Sequence, residues 1–202
     1  MKQIGTIFLI LLLSSINALS QNRPLSITQI EQNRQRISRN GSISLAVWSG
    51  INISVGAIGY FTQPRNEWTY FQEMNVFWNI VNVGLAIPGI LVKDKKQTSM
   101  VGSLKKHNSI QSVYLVNAAL DVSYITAGVF LRILGSEKND IRMKGYGSSL
   151  ILQGGYLMVY DLVQYILLQR NANKLLKTDV PVRLINHSGG FPGVGLVYSL
   201  NQ

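Results

Sequence analysis

Four stretches of the chain, residues 41–61, 70–92, 112–134 and 148–169, are apolar over most of their length, and polar segments separate them. Each matches the roughly 20 residues that an α-helix needs to cross the hydrocarbon core of a bilayer. Within each stretch the polar side chains recur at spacings of three and four, which places them on one helix face. Trp48, Asn52, Gly56 and Gly59 share a face in the first, and Asn75, Asn79 and Asn82 in the second. The third carries Tyr114, Asn117, Asp121, Tyr124 and Gly128; the fourth carries Gly154, Leu157, Asp161, Gln164 and Leu168, with Gln153 at the edge. Lipid offers these groups no hydrogen bonds, so the stripes should turn inward. The pattern predicts an all-α, four-helix transmembrane bundle. The connectors 62–69 and 135–147 are short enough to make two antiparallel helical hairpins. Pro88 and Gly89 should bend or loosen the last turns of the second helix.

The flanks complete the organisation. Residues 1–20 carry Lys2, an apolar run from Ile4 to Leu13 that is short for a span, and small residues at Ala18 and Ser20. These are the marks of a cleavable N-terminal signal peptide. Residues 21–40 form a polar, basic segment in which Ile27, Ile30, Arg34 and Ile37 would share one side of a short surface helix. The membrane domain then covers 41–170, and 171–202 is a C-terminal tail whose apolar end, 194–200, is open between strand and folded tail. The basic connector 93–111 reads as a solvated loop against headgroups. Glu73, in the first turn of the second span, reads as a favourable helix N-terminal charge.

Composition agrees: 47% of residues are hydrophobic and 14% charged, whereas soluble domains are about 25% charged. The net charge of +10 lies mostly between the spans, without interleaved base-stacking aromatics, so no nucleic-acid partner is expected. The chain has no cysteine, which removes disulfides, thiolate metal sites, redox dithiols and an acylated cysteine. His107 and His187 fall in connecting segments, away from where axial haem ligands would sit. No metal or cofactor is expected. The expected partners are the lipid bilayer and a second copy or another membrane protein, and the expected place is a bacterial inner membrane. Orientation is contested. A cleaved signal puts both termini outside the cytoplasm, and the Lys/Arg bias of the 93–106 connector argues the reverse.

Asp121 and Asp161 fall near the middle of their spans. A carboxylate there costs about 2.5–3.5 kcal/mol by insertion scales, so each needs a buried partner. The candidate intramembrane polar site comprises Asn52, Asn79, Asn82, Asn117, Asp121, Asp161 and Gln164, with Trp48, Trp78, Tyr114 and Tyr124 as aromatics that could frame a ligand. The leading reading is a structural or assembly role in which amides and carboxyls register the helices, each bond adding about 0.6–2 kcal/mol. A small proton- or cation-coupled transporter or sensor is the alternative, and a lipid- or quinone-binding module the further one. Enzyme chemistry would fall to the two aspartates. A glycine-flanked aspartyl-protease motif is missing, as is a serine with a histidine base inside a span, so no catalytic residue is assigned.

Several local patterns occur together: Gly59-Tyr60-Phe61, then Glu73-Met74-Asn75 with Phe77-Trp78-Asn79, then Gln153-Gly154 with Asp161. The arrangement resembles a family of uncharacterised bacterial four-span membrane proteins with a signal peptide, over roughly residues 33–170. The resemblance implies the architecture and transfers no site role.

Overall fold

The computed structural model describes residues 25–92 and 94–177. The expected signal peptide and most of the C-terminal tail lie outside these residues. Among the described residues the chain forms four helices: α1 (Ile27–Thr62), α2 (Glu67–Leu91), α3 (Met100–Glu137) and α4 (Ile141–Lys177). All four are long and apolar enough to cross a membrane.

Each helix start is chemically marked. Ser26 and Gln29 form a reciprocal capping box on α1, Asn66 accepts from the Thr69 amide of α2, and Ser99 accepts from the Gly102 amide of α3. Asp140 accepts from the Arg142 and Met143 amides at the start of α4. These side chains satisfy amides that have no partner inside the first turn.

Three helices are longer than their apolar stretches, which corrects the expected boundaries. The polar segment before residue 41 is neither a tail nor a separate surface helix, because α1 runs unbroken from Ile27. Residues 100–111, expected as loop, are the first three turns of α3. The α3–α4 connector shrinks to residues 138–140, with Asn139 at φ 54°, a left-handed conformation that asparagine tolerates. Helix α2 continues through Pro88 to Leu91.

At about 1.5 Å per residue, α1, α3 and α4 are each about 55 Å long, against a hydrocarbon core of about 30 Å. The hairpin alternation puts the overhangs, the N-termini of α1 and α3 and the C-terminus of α4, at one end of the bundle. This end holds Arg34, Arg36, Arg39, Lys95, Lys96 and Lys106 against Glu31 and Asp94, and is called the basic end below.

The hairpins α1–α2 and α3–α4 make the closest pairings, and α4 also packs on α2 and α1. The α2 and α3 backbones stay apart, and side chains such as Trp78 and Tyr124, with ring centroids 4.8 Å apart, bridge them. Burial is inverted relative to a soluble core. Among the described residues seventeen polar or charged side chains are buried against eight apolar ones, while Val47, Ile51, Phe77, Ile80 and Leu85 face outward. Such a surface suits lipid.

The α3–α4 crossing depends on two glycines. A Cβ on Gly147 would stand 2.5 Å from the Gly128 carbonyl oxygen, and one on Gly128 would stand 2.7 Å from that of Gly147. Backbone meets backbone, so neither side can yield. Gly147→Val is expected to separate the hairpin and lower resistance to unfolding in dodecyl sulfate by about 2 kcal/mol or more. Gly155→Ala, at a position with open space around it, should leave that resistance unchanged.

Candidate functional site

The interior of the bundle contains two polar groupings at membrane depth. The first is the pair Asp121 and Asp161, respectively 2% and 4% exposed. Their carboxyls lie within hydrogen-bonding reach of each other. Gly154 permits this approach: a Cβ there would sit 3.0 Å from the Asp121 carbonyl oxygen and 2.9 Å from Ile125. Three tyrosines lie near Asp161, Tyr114 from α3 and Tyr156 and Tyr160 from α4, with Tyr156 and Tyr160 stacked at 6.3 Å and Tyr114 edge-on to Tyr160 at 6.2 Å.

The second grouping is an amide network tying α1, α2 and α4. The Trp48 indole N–H donates to Gln153 Oε1 at 3.2 Å, and the Gln153 amide donates to Asn75 Oδ1. Asn75 Nδ2 donates to Asn52 Oδ1 at 3.0 Å, and Asn79 Nδ2 to the Asn75 carbonyl at 2.7 Å. Gln164, one turn from Asp161, is buried against Gly41, where a Cβ would stand 2.6 Å from its side chain.

Many of these groups keep an unused hydrogen-bonding valence. Asp121 Oδ2, Asn79 Oδ1, Asn82 Nδ2, Gln164 Oε1 and Ser49 Oγ are buried without a protein partner near mid-bundle. Gln111 Nε2 and Asn171 Oδ1 continue the series toward the basic end, and Gln72 Oε1 and Ser149 Oγ toward the opposite end. Buried polar atoms normally find partners, and water is the usual one where protein supplies none.

The expected site residues divide accordingly. Asn79, Asn82, Asp121, Asp161 and Gln164 are buried, and Asn52 is half-buried. Asn117 is exposed, a correction to its placement on the inward stripe. Trp48 stacks on Tyr156 at 3.8 Å, Trp78 meets Tyr124, and Tyr114 meets Tyr160. Glu73 pairs with Arg65 at 3.4 Å at the opposite end, as an interfacial charge should.

A third polar cluster lies at the basic end and was expected to be solvated. Glu31, Ser103 and His107 have no exposure, and Arg34 only 1%. The Glu31 carboxylate accepts from Arg34 at 2.9 Å, from the Gln97 amide at 3.0 Å and from Ser103 Oγ at 2.5 Å. Arg34 also donates to Asp94 at 2.7 Å. His107 Nδ1 donates to the Ser103 carbonyl at 2.8 Å, and Nε2 accepts from Asn171 Nδ2 at 3.0 Å. This arrangement selects a neutral imidazole.

Burial opposes charge on every member. It holds His107 below the ordinary histidine range. For Glu31 burial alone would raise the pKa, but bonds from Arg34, Ser103 and Gln97 outweigh it and keep the group below the usual carboxylate range. Asp94 is likewise held low, by Arg34 and Lys106 against burial.

The signs give a pH prediction. The unfolded His107 protonates near pH 6.5, before the folded one does, so stability falls as pH drops below that value. Glu31 and Asp94 contribute stability above about pH 4 and lose it as pH falls through their lower folded values. The protection factors of amides 100–108, with the intrinsic pH dependence of exchange divided out, should therefore fall between about pH 7 and 5, and His107→Gln should flatten that dependence.

Fold and interior together define an all-α bundle with four membrane-length helices around a buried carboxyl pair and an amide seam. Residues 44–162 match the model of a family of unknown function, DUF6992, and the chain belongs to that family. The matched segment contains Asp121, Asp161 and the whole amide network. No curated protein and no solved structure matches the chain.

Proposed function

We propose that this chain is a multi-pass membrane protein that takes up and releases a proton at the Asp121–Asp161 pair, as a small proton-coupled transporter or sensor. The contact between two buried carboxyls at mid-span carries the reading. Two charged carboxylates in contact repel, and a low dielectric magnifies the repulsion. A proton between them converts the contact into a hydrogen bond, so the pair is suited to holding one proton. The buried atoms with unused valence toward both ends, from Asn171 and Gln111 to Gln72 and Ser149, are positions where water could relay that proton.

The amide network favours a second reading, a scaffold that registers helices. It joins α1, α2 and α4 without the aspartates, so registration alone does not account for the pair.

Proteoliposomes containing a pH-sensitive dye distinguish the two. Under an imposed potassium diffusion potential, wild type should acidify the lumen faster than Asp121→Asn or Asp161→Asn. Equal rates in wild type, both variants and empty vesicles would leave the scaffold.

A further inference from the structure

We infer that the cleft at the basic end is a binding site for an anionic phospholipid, with the phosphate held by Arg36 and Arg39. The cleft has a volume of about 1000 Å³ and is walled by α1, the end of α2, the following connector and α3. Its lining divides by chemistry. Arg34, Arg36, Arg39 and Lys95 come from just outside the apolar stretches of α1 and α2, and Leu91, Ile110 and Tyr114 supply apolar surface at or beside the ends of those of α2 and α3. Those apolar residues fall at the ends of the apolar stretches of α2 and α3, so the cleft straddles the level where headgroup meets acyl chain. The α2 and α3 backbones stay apart here, which leaves the cleft without a helix–helix contact to close it from the bilayer.

The charges are not equivalent. Arg34 is spent on Glu31 and Asp94, at 2.9 and 2.7 Å, and Asp94 is shared with Lys106 at 3.2 Å. Asp94, the only carboxylate among the described residues that line the cleft, is therefore already neutralised. Arg36 and Arg39 are exposed, and neither makes an ion pair among the described residues. Among the described residues Arg36 makes one side-chain bond, to Asn33 at 3.5 Å. Two guanidiniums three residues apart on a helix repel each other. An oxyanion between them reverses that sign, and guanidinium forks suit phosphate oxygens. A soluble anion would leave the apolar half of the cleft unfilled, whereas a phospholipid fills both halves. This site is separate from the carboxyl pair and does not depend on the proton reading.

The test is lipid retention by the purified full-length protein in native mass spectrometry, after delipidation and addition of equal phosphatidylglycerol and phosphatidylcholine. Wild type should retain phosphatidylglycerol selectively. Arg36→Ala/Arg39→Ala should reduce that retention by about tenfold or more, since each cation near a membrane surface contributes about 1 kcal/mol. Arg36→Lys/Arg39→Lys should retain part of it, and Lys138→Ala/Arg142→Ala at the opposite end should match wild type. If the double alanine variant loses helicity, Arg39→Gln alone is read by the same ratio. Equal retention of both lipids, no retention by wild type, or unchanged retention in the alanine variant would overturn the proposal. Displacement of the lipid by soluble glycerol phosphate would assign the cleft to a free phosphate ester and overturn it as well.

Discussion

Glu31→Ala is expected to release the basic end of the bundle, with a loss of about 3–5 kcal/mol, the usual cost of removing one partner from a buried ion pair. The Glu31 carboxylate gathers α1, the α2–α3 connector and α3 through Arg34, the Gln97 amide and Ser103. Without it Arg34 keeps Asp94 and the Lys95 carbonyl, and the Gln97 amide and Ser103 hydroxyl lose their acceptor. Glu31→Gln keeps one acceptor oxygen, for the Gln97 amide, while its NH2 can donate to the Ser103 hydroxyl, so it should cost less. Denaturant unfolding gives the magnitude, and hydrogen exchange across residues 94–107 gives the location. A loss below about 1 kcal/mol would mean that the cluster is no tighter than an exposed pair.

The second large effect concerns the carboxyl pair. Asp161→Leu or Asp121→Leu alone should destabilise by about 1–3 kcal/mol, because the surviving carboxyl is left buried without its partner. The double leucine variant should be no worse than either single one, since replacing both members removes the unsatisfied group. Asp→Asn at either position keeps the shape and should spare stability while abolishing proton movement. Unfolding in dodecyl sulfate and dye-reported flux measure the two effects separately. Additive losses in the double leucine variant would show that the aspartates act on different partners.

The membrane-depth interior was legible because a bilayer leaves a helix few choices. Polar groups spaced at three and four in an apolar stretch must turn inward, and Asn79, Asn82, Asp121, Asp161 and Gln164 do. Asn117 failed for a reason of packing. The buried positions of α3 are Ser103, His107, Gln111, Ala118, Asp121, Gly128 and Gly135. That period near 3.5 marks a narrow seam against one neighbour. Helix α4 is the main neighbour, and α1 touches α3 over a short stretch at the basic end, around Ser103, rather than beside Asn117.

The basic end was not legible in the same way. Glu31, Arg34, Ser103 and His107 look like solvated residues, and their burial comes from packing partners distant in sequence, such as Asn171 on α4, whose amide reaches the Ile30 carbonyl at 2.9 Å. Two local signals were available. Ser26 and Gln29 have capping-box spacing, which marks a helix start before the apolar stretch. Ser103, His107 and Gln111 extend the inward face of α3 at four-residue steps beyond the span. The amide hub was half visible. Asn75 and Gln153 lay on or beside the stripes, but the bond between α2 and α4 that joins them depends on helix order, which periodicity does not carry.

The shared proton between Asp121 and Asp161 is tested most directly by infrared spectroscopy of the protein in lipid at neutral pH. A protonated-carboxyl C=O band that shifts in D₂O and changes in both Asp121→Asn and Asp161→Asn is expected. Absence of such a band, or a band unaltered by both substitutions, would contradict the shared proton.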